Sequence, residues 1–76
     1  MNKARRRQLT DIADQLQELR DEIETAKDEE QAAFDNLPES LQEGERGQAM
    51  EMATEQMGTA MDSLEEALQA LEEARA

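Results

Sequence analysis

Four cations crowd one short stretch of the chain: Lys3, Arg5, Arg6 and Arg7, with no acidic residue among residues 1–10. Guanidinium groups recognise phosphates in a bidentate fashion, and the free amides at a helix N-terminus add further donors. The cluster is therefore a candidate site for a small anionic ligand. Copies from two subunits of a symmetric oligomer could converge on it, with Arg46 as a further candidate ligand-binding residue. The competing reading is structural, with these cations solvated or paired with acids of a neighbouring helix.

Little else in the sequence suits chemistry. Histidine, cysteine, tyrosine and tryptophan are absent, which leaves carboxylates, lysines and hydroxyls as the catalytic menu. Carboxylate pairs such as Asp21/Glu22 and Glu65/Glu66 are common, but helix neighbours one apart point in different directions. The chain is not expected to be an enzyme. Asp28 to Glu39 has the length and end residues of an EF-hand loop, yet Ala32 and Ala33 stand where a ligand and the bending glycine belong. Carboxylate-bridged di-metal sites need histidines. Neither a metal nor a cofactor is expected, and the acids read as a solvated face.

Acidic residues number 20 against 8 basic ones, for a net charge of −12. Such a surface repels nucleic acid and anionic membranes, so neither is expected as a direct partner. No apolar run exceeds three residues, which excludes a membrane span or signal-peptide core within these residues. A cytoplasmic location is the resulting expectation.

Two rods must position the cluster. Leu9, Ile12, Leu16, Leu19, Ile23 and Ala26 recur at alternating spacings of three and four, as do Met50, Ala53, Met57, Ala60, Leu64, Ala67, Leu71 and Ala74. That repeat marks a helix that buries one stripe against another helix. Folded back, Leu9 meets Leu71, Leu16 meets Leu64 and Ile23 meets Met57, each pair adding to 80. The expected fold is all-α, an antiparallel two-helix hairpin of coiled-coil type. Its core comprises Leu9, Ile12, Leu16, Leu19, Ile23, Met57, Leu64, Leu68 and Leu71.

Helix one is expected over 3–34, with Asn2 as its N-cap and neither glycine nor proline inside. Pro38 disfavours helical geometry in the residue before it, giving a connector over 35–46 with a short helical turn at 38–42. Ser40 and Glu43 have capping-box spacing. Gly44 and Gly47 suggest an irregular segment, which starts helix two near 47 and runs it to 75. Glu30 falls on the stripe close enough to Arg46 for an ion pair. Met50 and Met57 read as core; Met52 lies off the stripe as an exposed apolar contact.

The charges at the open end oppose each helix dipole: cations begin helix one, while Glu65, Glu66, Glu72 and Glu73 end helix two. Side by side, they can offset one another. A chain this short has a small core, no cysteine for a disulfide, and Met61 and Leu68 widening its second stripe. Assembly into a homo-oligomeric bundle, a dimer or larger, is expected on those grounds.

The stretch Asp28-Glu29-Glu30-Gln31-Ala32-Ala33-Phe34-Asp35-Asn36-Leu37-Pro38-Glu39-Ser40-Leu41-Gln42, followed by Glu45-Arg46-Gly47 and preceded by a basic Met-Asn-Lys-Ala-Arg-Arg opening, resembles small acidic helical proteins of phages and prophages. The resemblance implies a viral or prophage origin and a host cytoplasm as location; it carries no catalytic or binding residues across. The methionine-rich second helix departs from an Ile/Leu-rich pattern. The leading expectation is a non-catalytic, self-assembling protein that binds or inhibits a host factor, in a counter-defence role. An oligomeric sponge for a nucleotide immune signal is the first alternative, and an acidic nucleic-acid mimic the second.

Overall fold

The computed structural model describes residues 1–76 as three helices: α1 (Lys3–Asp35), α2 (Glu39–Gln42) and α3 (Glu45–Ala74). No residue forms a strand. Helices α1 and α3 pack side by side as an antiparallel pair, and α2 closes one end against α3. The result is a rod of 58 × 14 × 12 Å.

Helix α1 starts where an N-cap residue is available: the Asn2 side-chain oxygen accepts from the Arg5 amide at 2.7 Å. Thirty-three residues without glycine or proline follow. The helix stops at Asn36, whose amide donates back to Ala32 and Phe34, and Pro38 then begins α2 as its N-cap. The short helical turn expected at 38–42 is present. The Ser40–Glu43 capping box is not, because Ser40 lies inside α2 and no side chain caps that helix.

Gly44 and Gly47 differ from expectation. Gly44 is the N-cap of α3, with a φ of −86° that any residue adopts, and helix two begins at Glu45 instead of near 47. Gly47 is helical and buried. Its α-carbon faces the main chain of Gln42 so closely that a β-carbon would stand 2.6 Å from the Gln42 Cα. The second helix therefore carries a glycine for close approach of α2, not for irregularity. Gln42 completes the turn by donating its side-chain amide to the Phe34 carbonyl at 3.0 Å, a second donor there beside the Leu37 amide.

The seam between α1 and α3 shows a second departure. On α1 the half-buried or buried positions are Leu9, Ala13, Leu16, Arg20, Ile23, Lys27, Glu30 and Phe34. Ile12 and Leu19, expected in the core, are 37% and 50% exposed, and Ala26 is exposed too. On α3 the seam runs through Met50, Thr54, Met57, Met61, Leu64, Leu68 and Leu71, with Ala53, Gly58 and Ala67 half-buried at its margins, while Ala60 and Ala74 are exposed outside it. The two α1 patterns share Leu9, Leu16 and Ile23 and differ by one row. Small Ala13 permits close packing in the chosen row, and Arg20 there can reach carboxylates on α3. Thr54 tolerates its seam position by donating its hydroxyl to the Met50 carbonyl at 3.0 Å.

Three cross-helix contacts, Thr10 with Arg75, Arg20 with Glu65 and Lys27 with Gly58, each add to 85. The register is thus shifted by about one helical turn from the expected sum of 80, so that Leu16 lies level with Leu68 and not with Leu64. Only Ala13 and Met61 among the apolar residues are buried, and neither completely. The seam is thin.

Candidate functional site

The rod has three distinct chemical regions: a basic tip, a polar groove and an apolar face. The tip holds Lys3, Arg5, Arg6 and Arg7, all exposed, along the first two turns of α1. No acid lies in the first turn of that helix. All three ion pairs in the structure belong to Arg20, so none of the four tip cations is paired with the acids of α3. The anticipated offset of charge at the open end takes another form: Arg75 donates to the Thr10 hydroxyl at 3.0 Å.

Arg46 does not join the tip. It sits at the start of α3, beside the turn, and α1 separates the two places by 33 residues, about 50 Å at 1.5 Å per residue. One chain cannot gather Lys3, Arg5, Arg6, Arg7 and Arg46 round a single small ligand. Arg46 also makes no ion pair with Glu30. Glu30 is half-buried whereas Arg46 is exposed, and the turn residues and α2 intervene between their helices.

The polar groove runs between α1 and α3 on one side of the rod. Arg20 spans it, donating Nε to Glu65 Oε1 and Nη1 to Glu24 Oε2, both at 2.7 Å, with Asp21 at 3.4 Å. Hydrogen bonds that Arg20 donates to Glu65 and then to Glu24 raise its pKa, partly opposed by desolvation. One guanidinium thus bridges acids of both helices, using separate donors of its fixed planar fork for each. Further along, Lys27 passes over Gly58, its Nζ 3.5 Å from where a β-carbon would stand. Glu51, Glu55 and Asp62 line the remaining wall. The groove is open to solvent and rich in acids, and Arg20 is the cation in it that pairs with the hairpin's own carboxylates.

Sequence reasoning misses this groove because hydropathy does not count Arg20 and Lys27 as stripe residues. The available signal is their spacing of seven in the row Ala13, Arg20, Lys27, Phe34, opposite a row of α3 that carries Glu51, Glu65 and Glu72.

The apolar face is the other side of the same helix pair. Ile12, Leu19, Ala26 and Ala33 form one row on α1; Ala53, Ala60, Ala67 and Ala74 form its counterpart on α3. In an antiparallel pair of right-handed helices these rows flank the seam on a common side, opposite Glu24 and Glu65. Met52, exposed at 64%, points away from the seam and belongs to neither region. No helix is long and apolar enough to cross a membrane. Comparison with protein-family models, curated proteins and solved structures returned no match.

Proposed function

We propose that the protein is a non-catalytic interaction protein, a helical hairpin that self-assembles and binds a host protein. The observation that carries this reading is the exposed apolar face. A charged, water-facing rod leaves Ile12 and Leu19 at 37% and 50% exposure in register with a row of alanines. Contiguous apolar surface of this kind marks a contact with another macromolecule. The thin seam adds support, since a helix pair burying so little gains stability by covering that face. A catalytic role has no support from the residue types, which lack histidine, cysteine and tyrosine. The resemblance to small phage and prophage proteins supports a host protein as the second partner.

Sedimentation equilibrium from micromolar to millimolar protein, paired with affinity capture from bacterial lysate before and after Leu19→Glu, tests this. Concentration-dependent association, and a captured protein lost with the substitution, support it. A monomer throughout with no substitution-sensitive partner overturns it.

The unpaired tip cations favour a second reading, an oligomer that sequesters a small anion such as a cyclic or adenylated nucleotide. Thermal-shift measurement across such nucleotides distinguishes it. Stabilisation that disappears in Arg6→Ala and Arg7→Ala supports the sponge, and no stabilisation by any of them removes it.

A further inference from the structure

We infer that the apolar face is covered by a second copy of this chain, related by a two-fold axis parallel to the rod, so that Ile12 and Leu19 of each copy seat on the alanine row of the other. The inference rests on the self-assembly reading above and specifies its surface and geometry.

The face is identified by charge as much as by hydropathy. Charged residues make up 37% of the chain. Yet two adjacent rows of α3, Ala49, Gln56, Ser63, Ala70 and Ala53, Ala60, Ala67, Ala74, carry none. On the groove side the corresponding α3 row is Glu51, Gly58, Glu65, Glu72. Acids are thus confined away from one continuous strip between Ala49 and Ala74. Water-facing helices of an acidic protein have no reason to avoid charge on one side; a helix lying against another helix does.

Area points the same way. The chain exposes 5671 Å², whereas a compact monomer of 8.6 kDa exposes about 4700 Å². The excess is about 1000 Å². A face of 58 by 14 Å amounts to about 800 Å², which is also the usual contribution of one partner to a stable protein interface. One further copy of the same rod therefore suffices to cover it.

Shape and charge select the orientation. With the two-fold axis parallel to the rod, each α1 lies over the partner's α3, antiparallel to it, and every residue keeps its level along the rod. Leu19 then faces the partner's Ala67, and Ile12 faces the partner's Ala74, so that large side chains meet small ones. The outer α1 row, Gln8, Gln15, Glu22 and Glu29, faces the uncharged row of the partner's α3. With the axis perpendicular to the rod, α1 would lie on α1. The acids of that outer row would then oppose one another and the alanine rows would meet without filling. The parallel axis avoids both penalties and yields a four-helix bundle whose adjacent helices all run antiparallel.

The chain has no native cysteine, which permits a direct test. Single variants Leu19→Cys and Ala67→Cys are mixed, equilibrated and treated with a short bis-maleimide. Sedimentation equilibrium is run in parallel on wild type, Leu19→Glu, Ala60→Glu and the back-face control Met52→Glu, with helicity checked by circular dichroism. The expected result is a dimer for both wild type and Met52→Glu, and a mixed crosslink that joins a Leu19→Cys chain to an Ala67→Cys chain. Either face variant should stay helical while its dimer dissociation constant rises by about 100-fold or more, the effect of a charge placed in a dry contact. Crosslinks of Leu19→Cys with itself alone overturn the orientation. A dimer broken by Met52→Glu but not by Leu19→Glu overturns the face while leaving self-assembly intact. A wild-type monomer at every concentration overturns both.

Discussion

Replacing Gly47 by alanine separates the two roles a helical glycine can have. In an open helix interior, glycine to alanine stabilises by about 1 kcal/mol, because alanine orders the backbone at lower entropic cost. At Gly47 the new β-carbon would lie 2.6 Å from the Gln42 Cα, 2.5 Å from its carbonyl carbon and closer still to its oxygen. All three atoms are main chain, so no rotamer change gives relief and α2 must retreat by about 1 Å or detach. Overpacking of that kind costs about 1–3 kcal/mol; detachment instead loses the Gln42 bond to the Phe34 carbonyl, worth about 1 kcal/mol, with the apolar contacts of α2. Against the helix gain, Gly47→Ala should destabilise by about 0.5–2 kcal/mol. Gly58 is the internal control, since its β-carbon would meet only the end of Lys27, at 3.5 and 3.8 Å. Gly58→Ala should gain up to about 1 kcal/mol, or about 4–8 °C in Tm for a chain this short. Thermal and urea unfolding followed by circular dichroism, at matched protein concentration, reads both. Equal stabilisation by the two substitutions would show that α2 does not press on α3 at Gly47.

Other substitutions and conditions give separate expectations. Arg20→Met should leave stability close to that of wild type, because Glu24 and Glu65 are half-exposed and rehydrate when released; a clear loss in urea unfolding would make Arg20 a structural keystone. The raised Arg20 pKa makes its contribution full at every pH below the ordinary arginine range and lost only above it. The unfolding profiles of wild type and Arg20→Met should accordingly run parallel from about pH 6 to 10, and divergence there would point to another titrating group. Added salt should raise the Tm and tighten self-association, since it screens a net charge of −12. An anion held by the tip cations would instead be released by salt, so the two effects can be told apart in one titration.

Helices and turn were legible because local physics fixes them. Asn2 offers a cap, residues 3–35 lack any breaker, and Pro38 ends what precedes it. The side on which α1 meets α3 was not legible. Rows containing Ile12 and Leu19, or Ala13 and Arg20, have the same period and share Leu9, Leu16 and Ile23, so periodicity alone ranks them by apolarity and selects the first. Contacts across 45 residues, such as Arg20 with Glu65, select the second. Gly47 misleads for a related reason: its sequence neighbours reveal propensity, whereas its role depends on a main chain passing at van der Waals range. The separation of Arg46 from the basic tip, by contrast, follows from helix rise alone.

The two poles of the rod are fastened unequally. At the turn, Gly47 lets α2 dock and Gln42 ties the end of α1. At the far pole the arginines of α1 are unpaired, and one side-chain bond, from Arg75 to Thr10, crosses between the helices. The molecule is thus built like tongs, hinged at one extremity and easily spread at the other. Whatever is drawn electrostatically to the jaws meets the portion that yields with least effort.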